Sequence, residues 1–106
     1  MEFYQLETFI AVIEEGSFSR AADRVFRTQS AVSQAIKRLE EILEVPLIDR
    51  RSTTLELTEA GEVLLDHARK IVALREQSLN AIADLKDARA GKLTIAAHES
   101  AANYVL

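Results

Sequence analysis

The sequence predicts a mainly α-helical fold: three short helices, a small β-hairpin and one long helix. Three observations point there. Apolar residues recur at helical spacing through most of the chain. Only one Pro and three Gly occur in 106 residues, too few for a turn-rich β fold or a low-complexity chain. Residues of hydrophobic type make up 48% of the chain, enough to build a core in one small domain with an extension.

The first helix is expected from Phe3 to about Glu15, where Leu6, Phe9, Ile10 and Ile13 repeat at i, i+3, i+4, i+7. Gly16 suits a left-handed cap. A short second helix is expected from Ser19 to Phe26, with Ser17 or Ser19 as N-cap. Its small pair Ala21-Ala22 permits close approach of another helix backbone, as a helix-turn-helix requires where its helices cross. The third helix is expected from Gln29 to Leu43, capped by Thr28. Val32, Ala35, Ile36, Leu39, Ile42 and Leu43 share one face. Ser30, Gln34, Lys37 and Glu41 face the other way, flanked by Ser33 and Arg38.

Pro46 closes that helical region. Leu47-Ile48-Asp49-Arg50 and Leu55-Glu56-Leu57 then read as two short strands around the basic, hydroxyl-rich tip Arg51-Ser52-Thr53-Thr54. A hairpin directly after a helix-turn-helix is a wing. Thr58 is a good N-cap for a helix continuing to about Ala90, with Glu59 and Glu62 favourably placed in its first turn. Its stripe of Leu64, Leu65, Ala68, Ile71, Val72, Leu79 and Ile82 predicts a dimer seam, because a long helix outside a compact domain needs a partner to bury such a stripe. Arg75 and Lys86 interrupt the stripe, their stems lying along apolar surface while the charges reach water. Gly91 breaks the helix, and residues 91–106 read as the opening strand and helix start of a second domain. The predicted fold is therefore a winged helix-turn-helix (residues 1–58), a long dimerisation or linker helix (59–90) and a stub of a further domain (91–106).

Net charge is −4, which by itself argues against a nucleic-acid partner. Distribution matters more than the sum. Residues 1–17 carry four acids and no base, whereas residues 18–54 carry seven bases against five acids, and Arg27 to Arg38 holds three bases and no acid. The basic stretch coincides with the third helix. A helix in the major groove must present donors and acceptors to base edges. Gln29 and Gln34 each offer both to an adenine edge, and the short Ser30 and Ser33 let the helix sit close. Arg27, Lys37 and Arg38 can reach phosphates, with Thr28 adding a hydroxyl. Arg50 or Arg51, with Thr53 and Thr54, can meet the minor groove or the backbone from the wing.

These residues carry a resemblance. Phe9, Gly16-Ser17-Phe18-Ser19, Ala21-Ala22, Gln29-Ser30-Ala31-Val32-Ser33, Ile36, Leu39-Glu40, Pro46-Leu47, Arg50 and Leu57-Thr58-Glu59-Ala60-Gly61 stand in the order and spacing of the bacterial LysR-type transcriptional regulators, which residues 1–90 resemble. The resemblance implies sequence-specific regulation of transcription on double-stranded DNA. It puts Gln29, Ser30, Ser33 and Gln34 on the recognition helix and the wing after Pro46. It also implies a homodimer joined through the linker helices, often assembling further to a tetramer. It implies that residues 91–106 open a larger effector-binding domain, so a small-molecule effector is expected only for the full-length protein, and no cofactor for this chain. Three positions depart from the family pattern: Ser30 where Pro is frequent, Glu44 where a helix-ending Gly is common, and Arg27 where an aliphatic residue is frequent.

Other classes of function find less support. The chain has no cysteine, which removes thiolate catalysis and disulfides. His67 has no metal partner at helical spacing. His98-Glu99-Ser100 lists catalytic residue types, but adjacent residues do not face each other across a site. No metal site and no enzyme are expected. The N-terminal residues lack the basic and apolar regions of a signal peptide, and no apolar run matches a bilayer, so a cytoplasmic protein without a membrane partner is expected. The competing reading is a helical dimerisation adaptor with no DNA role, which the acidic net charge and the long helix would suit.

Overall fold

Local capping chemistry sets the boundaries of the helices. The computed structural model describes residues 1–90; the strand and helix start expected within 91–106 lie outside the described residues. Helix α1 spans Phe3–Glu15, α2 Phe18–Val25, α3 Gln29–Leu43 and α4 Glu59–Ala90, with strands β1 Ile48–Asp49 and β2 Glu56–Leu57 between α3 and α4. At α1 the Glu2 N–H donates to Gln5 Oε1 at 2.8 Å, which satisfies one of the donors that a helix start leaves open. Ser17 Oγ accepts from the Arg20 N–H at 3.2 Å, and Thr28 Oγ1 accepts from the Ala31 N–H at 3.0 Å. The cap at Ser17 starts α2 at Phe18, two residues earlier than a cap at Ser19 would.

Three left-handed residues end the first three helices: Gly16 (φ 67°), Phe26 (φ 57°) and Glu44 (φ 56°). Glycine adopts this conformation at no steric cost; Phe and Glu do not. The position where Glu replaces the common glycine thus keeps the glycine's geometry, and the turn into the hairpin is made despite the side chain.

The core is built from Leu6, Phe9, Ile10 and Val12 of α1, Ala21 and Ala22 of α2, and Val32, Ile36 and Leu39 of α3, closed by Leu47 and Ile48. The Ala21-Ala22 pair is buried, as close helix crossing requires. Ile42 and Leu43, expected on the same face of α3, are exposed, because the helix outruns the core there. Strands β1 and β2 are antiparallel, with Ile48 opposite Leu57 and Asp49 opposite Glu56. Each is only two residues long; the ladder is shorter than the alternating segments suggest.

The first part of α4 packs with this domain. The chain divides into a compact unit of Met1–Val72 and a second unit from Ala73 onward, so the division expected after residue 58 falls within α4. Ala68 is fully buried in the domain core, and Leu64, Leu65 and Val72 pack against it. These four residues were expected on a dimer seam. They pack on the core of their own domain, because α1–α3 leave an apolar face that the first turns of α4 close. Gly61 allows the approach: a methyl group there would overlap the Leu47 carbonyl oxygen. Thr58 secures the same junction. Its hydroxyl donates to the Pro46 carbonyl at 2.6 Å and accepts from the Gly61 N–H at 3.0 Å. Its N–H donates to the Leu47 carbonyl at 3.0 Å.

Beyond Val72 the helix is almost wholly exposed. Leu74 (65% exposed), Leu79 and Ile82 (59%) stand open to solvent. Among the described residues no helix is long and apolar enough to cross a membrane, and no group of three His, Cys, Asp or Glu side chains is placed to hold a metal ion.

Candidate nucleic-acid interface

Helix α3 separates two kinds of side chain. Val32, Ala35, Ile36 and Leu39 are buried, which fixes the rotation of the helix about its axis. Gln29, Ser30, Ser33, Gln34, Lys37 and Arg38 are consequently exposed together, with Thr28 beside them as cap. The N-terminal half of the outward face carries amides, hydroxyls and cations and no carboxylate. Its N-terminus also adds the positive end of the helix dipole.

The structure brings the wing to the same surface. Phe18, Ser33, Lys37, Glu40 and Arg50 line one groove between α3 and the hairpin. On the opposite flank, Gln34, Lys37 and Arg38 line a second groove with Tyr4 and Gln5 of α1. The Arg27 guanidinium lies 4.7 Å from the centre of the Tyr4 ring, a cation–π contact that holds this base at the entrance to α3.

Glu40 organises the hairpin, and its sequence position alone marks it only as the first acid after the basic stretch. Its side chain is 14% exposed. Oε2 accepts from the Leu47 N–H at 2.7 Å and from the Ile48 N–H at 3.4 Å, and Arg50 Nη1 lies 3.1 Å from both carboxylate oxygens. One carboxylate thereby joins α3, the first strand and an arginine of the hairpin. Arg50 therefore pairs with Glu40 rather than with its neighbour Asp49.

Asp49 pairs with Arg51. Oδ1 accepts from the Arg51 backbone N–H and from Nε, each at 3.0 Å, and Oδ2 accepts from Nη2 at 3.1 Å. The guanidinium hydrogen bonds, followed by the backbone N–H, hold the Asp49 carboxyl below the usual carboxylate range. At the tip the Ser52 and Thr54 hydroxyls are 3.1 Å apart, and Thr54 Oγ1 donates to Glu56 at 3.2 Å. Thr53 is exposed. All twelve residues expected to touch DNA are at the surface, on the entry and outward face of α3 or on the hairpin.

Of the residues expected on the dimer seam, Ile71, Leu79 and Ile82 are exposed. Val63 and Leu74 are exposed as well; the stripe read from the sequence omits both.

Residues 3–62 match the model of the bacterial regulatory helix-turn-helix proteins of the lysR family. A protein of Synechocystis sp. named a probable RuBisCO transcriptional regulator is 41% identical over 102 residues, which cover 96% of this chain and 30% of that protein. An uncharacterized HTH-type transcriptional regulator of Azotobacter vinelandii is 44% identical over 96 residues, covering 91% of this chain and 67% of that one. The chain thus spans about a third of the length of the RuBisCO regulators that it matches. Among solved structures, the CbnR DNA-binding domain in complex with DNA aligns with TM-score 0.70 and 40% identity over 76% of this chain and 92% of that one. The BenM DNA-binding domain in complex with catB site 1 DNA aligns with TM-score 0.72 and 35% identity over 76% and 89% of the two chains.

Proposed function

Since the chain belongs to the lysR family of bacterial regulatory helix-turn-helix proteins, we propose that it binds duplex DNA sequence-specifically to regulate transcription, with α3 in the major groove and the hairpin on the flanking minor groove or backbone. The observation that carries this is the exposed face of α3. Amides at 29 and 34 and hydroxyls at 30 and 33 sit between cations at 27, 37 and 38, opposite the buried Val32, Ala35, Ile36 and Leu39. Gln29 and Gln34 read base edges, Ser30 and Ser33 allow close approach, and Arg27, Thr28, Lys37 and Arg38 hold phosphates. Arg50, Arg51, Thr53 and Thr54 act from the wing.

The regulator works in the cytoplasm as a homodimer, with assembly to a tetramer as a further step. Exposed apolar residues of α4 support this: Val63, Ile71, Leu74, Leu79 and Ile82 need a covering partner. The chain itself uses no cofactor and no catalytic residue; an effector acts on the longer protein.

The test is Gln29→Ala with Gln34→Ala, measured on a duplex selected for binding. The pair of substitutions is expected to cost roughly thirtyfold to ten-thousandfold in affinity, since each good bidentate base contact is worth about 1–3 kcal/mol and about 1.4 kcal/mol is a factor of ten. A double substitution on the exposed face of α4 serves as control. Equal, small losses in both would remove α3 from the role of reading helix.

A further inference from the structure

The wing arginines differ from the cations of α3 in one respect: each is already held by a carboxylate. Arg50 is paired with Glu40 and Arg51 with Asp49. Among the described residues Lys37 and Arg38 make no ion pair. Across residues 49–56 the two arginines are matched by Asp49 and Glu56, so the hairpin has no formal excess charge.

The two pairs are of different kinds. Glu40 is mostly buried and also holds two backbone N–H groups, so its pair with Arg50 is part of the fold. Arg51 is 92% exposed, and a surface pair of this kind adds little to folding. Its geometry is a two-pronged fork, Nε and Nη2 on the two oxygens of one carboxylate. A guanidinium presents that same fork to a phosphate. Asp49 thus engages the same edge of the guanidinium that a phosphate would engage.

We propose that Asp49 is a specificity-determining residue which competes with DNA phosphate for Arg51 and so withholds the wing from arbitrary sequence. On any duplex, the unpaired cations of α3 supply non-specific attraction. The wing adds to it only where α3 seats well enough for a backbone phosphate to displace Asp49. Arg51 then changes partner without a net gain of wing charge in the free protein. This rests on the reading of α3 and the hairpin as the DNA interface.

The experiment is a double-mutant cycle. Affinity of the chain for a labelled duplex of arbitrary sequence is measured across salt concentrations for wild type, Asp49→Asn, Arg51→Ala and the double variant. Asparagine keeps an oxygen for the Arg51 N–H groups and loses the charge. Asp49→Asn is expected to bind several-fold more tightly, with the logarithmic salt slope steeper by roughly 0.9, the value for one more phosphate neutralised. In the Arg51→Ala background the same substitution is expected to change neither quantity. An equal gain in both backgrounds would mean that only net charge matters, and would overturn the proposal. So would no gain in either background from a variant whose circular dichroism is that of wild type. Failure of the underlying DNA reading looks different: wild type and all three variants stay unbound at low salt. Independently of any substitution, the Arg51 Nε–H resonance of the wild-type chain is expected to move when a selected duplex is added. An unmoved resonance at saturation would contradict the exchange of partners.

Discussion

Single residues at helix ends and in ion pairs carry much of what is specific to this chain. Glu44 takes a left-handed conformation with φ 56°, which costs a side-chain-bearing residue roughly 1–2 kcal/mol. Glu44→Gly is therefore expected to raise stability by about 0.5–1 kcal/mol, the gain reduced by glycine's greater freedom in the unfolded chain. A urea titration checks it. Glu14 receives hydrogen bonds from Arg24 on α2 and Arg69 on α4, and the Arg24 bond is the main reason its carboxyl titrates below the usual range. A carboxyl whose folded pKa is depressed contributes stability above its unfolded pKa and loses it as pH falls through the folded value. Unfolding followed from neutral to acid pH should show Glu14→Gln flattening the loss of stability below the ordinary carboxylate range. A dependence unchanged by the substitution would assign the loss to other carboxyls.

At the scale of elements, the caps and the inward faces of α1–α3 are legible because each is a local pattern. Thr28 before Gln29, and Val32, Ala35, Ile36 and Leu39 at helical spacing, need no knowledge of distant residues. The outward face of α3, proposed to meet DNA, is legible for the same reason. The hairpin is less so. Its position follows from Pro46 and the hydroxyl-rich tip, but the pairing of Arg50 with Glu40 spans ten residues and leaves no periodic trace. Glu40→Ala removes the acceptor of the Leu47 and Ile48 N–H groups and is expected to destabilise the domain by about 1–3 kcal/mol, whereas Glu40→Gln, which keeps an oxygen, should recover part of that. Gly61 gives a sharper test of the junction between the hairpin and α4. The substitution Gly61→Ala puts a methyl group onto the Leu47 carbonyl and is expected to cost about 1–3 kcal/mol or more, read from chemical denaturation.

For the whole molecule, the amphipathic pattern of α4 identifies apolar residues without saying what covers them. Leu64, Leu65, Ala68 and Val72 carry the same periodic signal as a dimer seam, yet they close the core of their own domain. A hydrophobic stripe cannot distinguish an intramolecular partner from a second copy; only the three-dimensional arrangement of α1–α3 does. Leu74 and Ile82 are exposed, and the proposed homodimer would cover them. Ile82→Glu is expected to shift the chain from dimer to monomer in sedimentation while leaving the melting temperature of a monomeric domain nearly unchanged. Ala68→Glu should instead unfold the domain, since it buries an unpaired carboxylate.

The outward face of α3 is proposed to read sequence in duplex DNA. Selection of bound duplexes from a random pool at moderate salt, followed by sequencing, tests it most directly. Enrichment of an interrupted palindrome is expected, because the proposed two-fold dimer would present two α3 helices to two half-sites. Binding without enrichment, or no binding even at low salt, would contradict it.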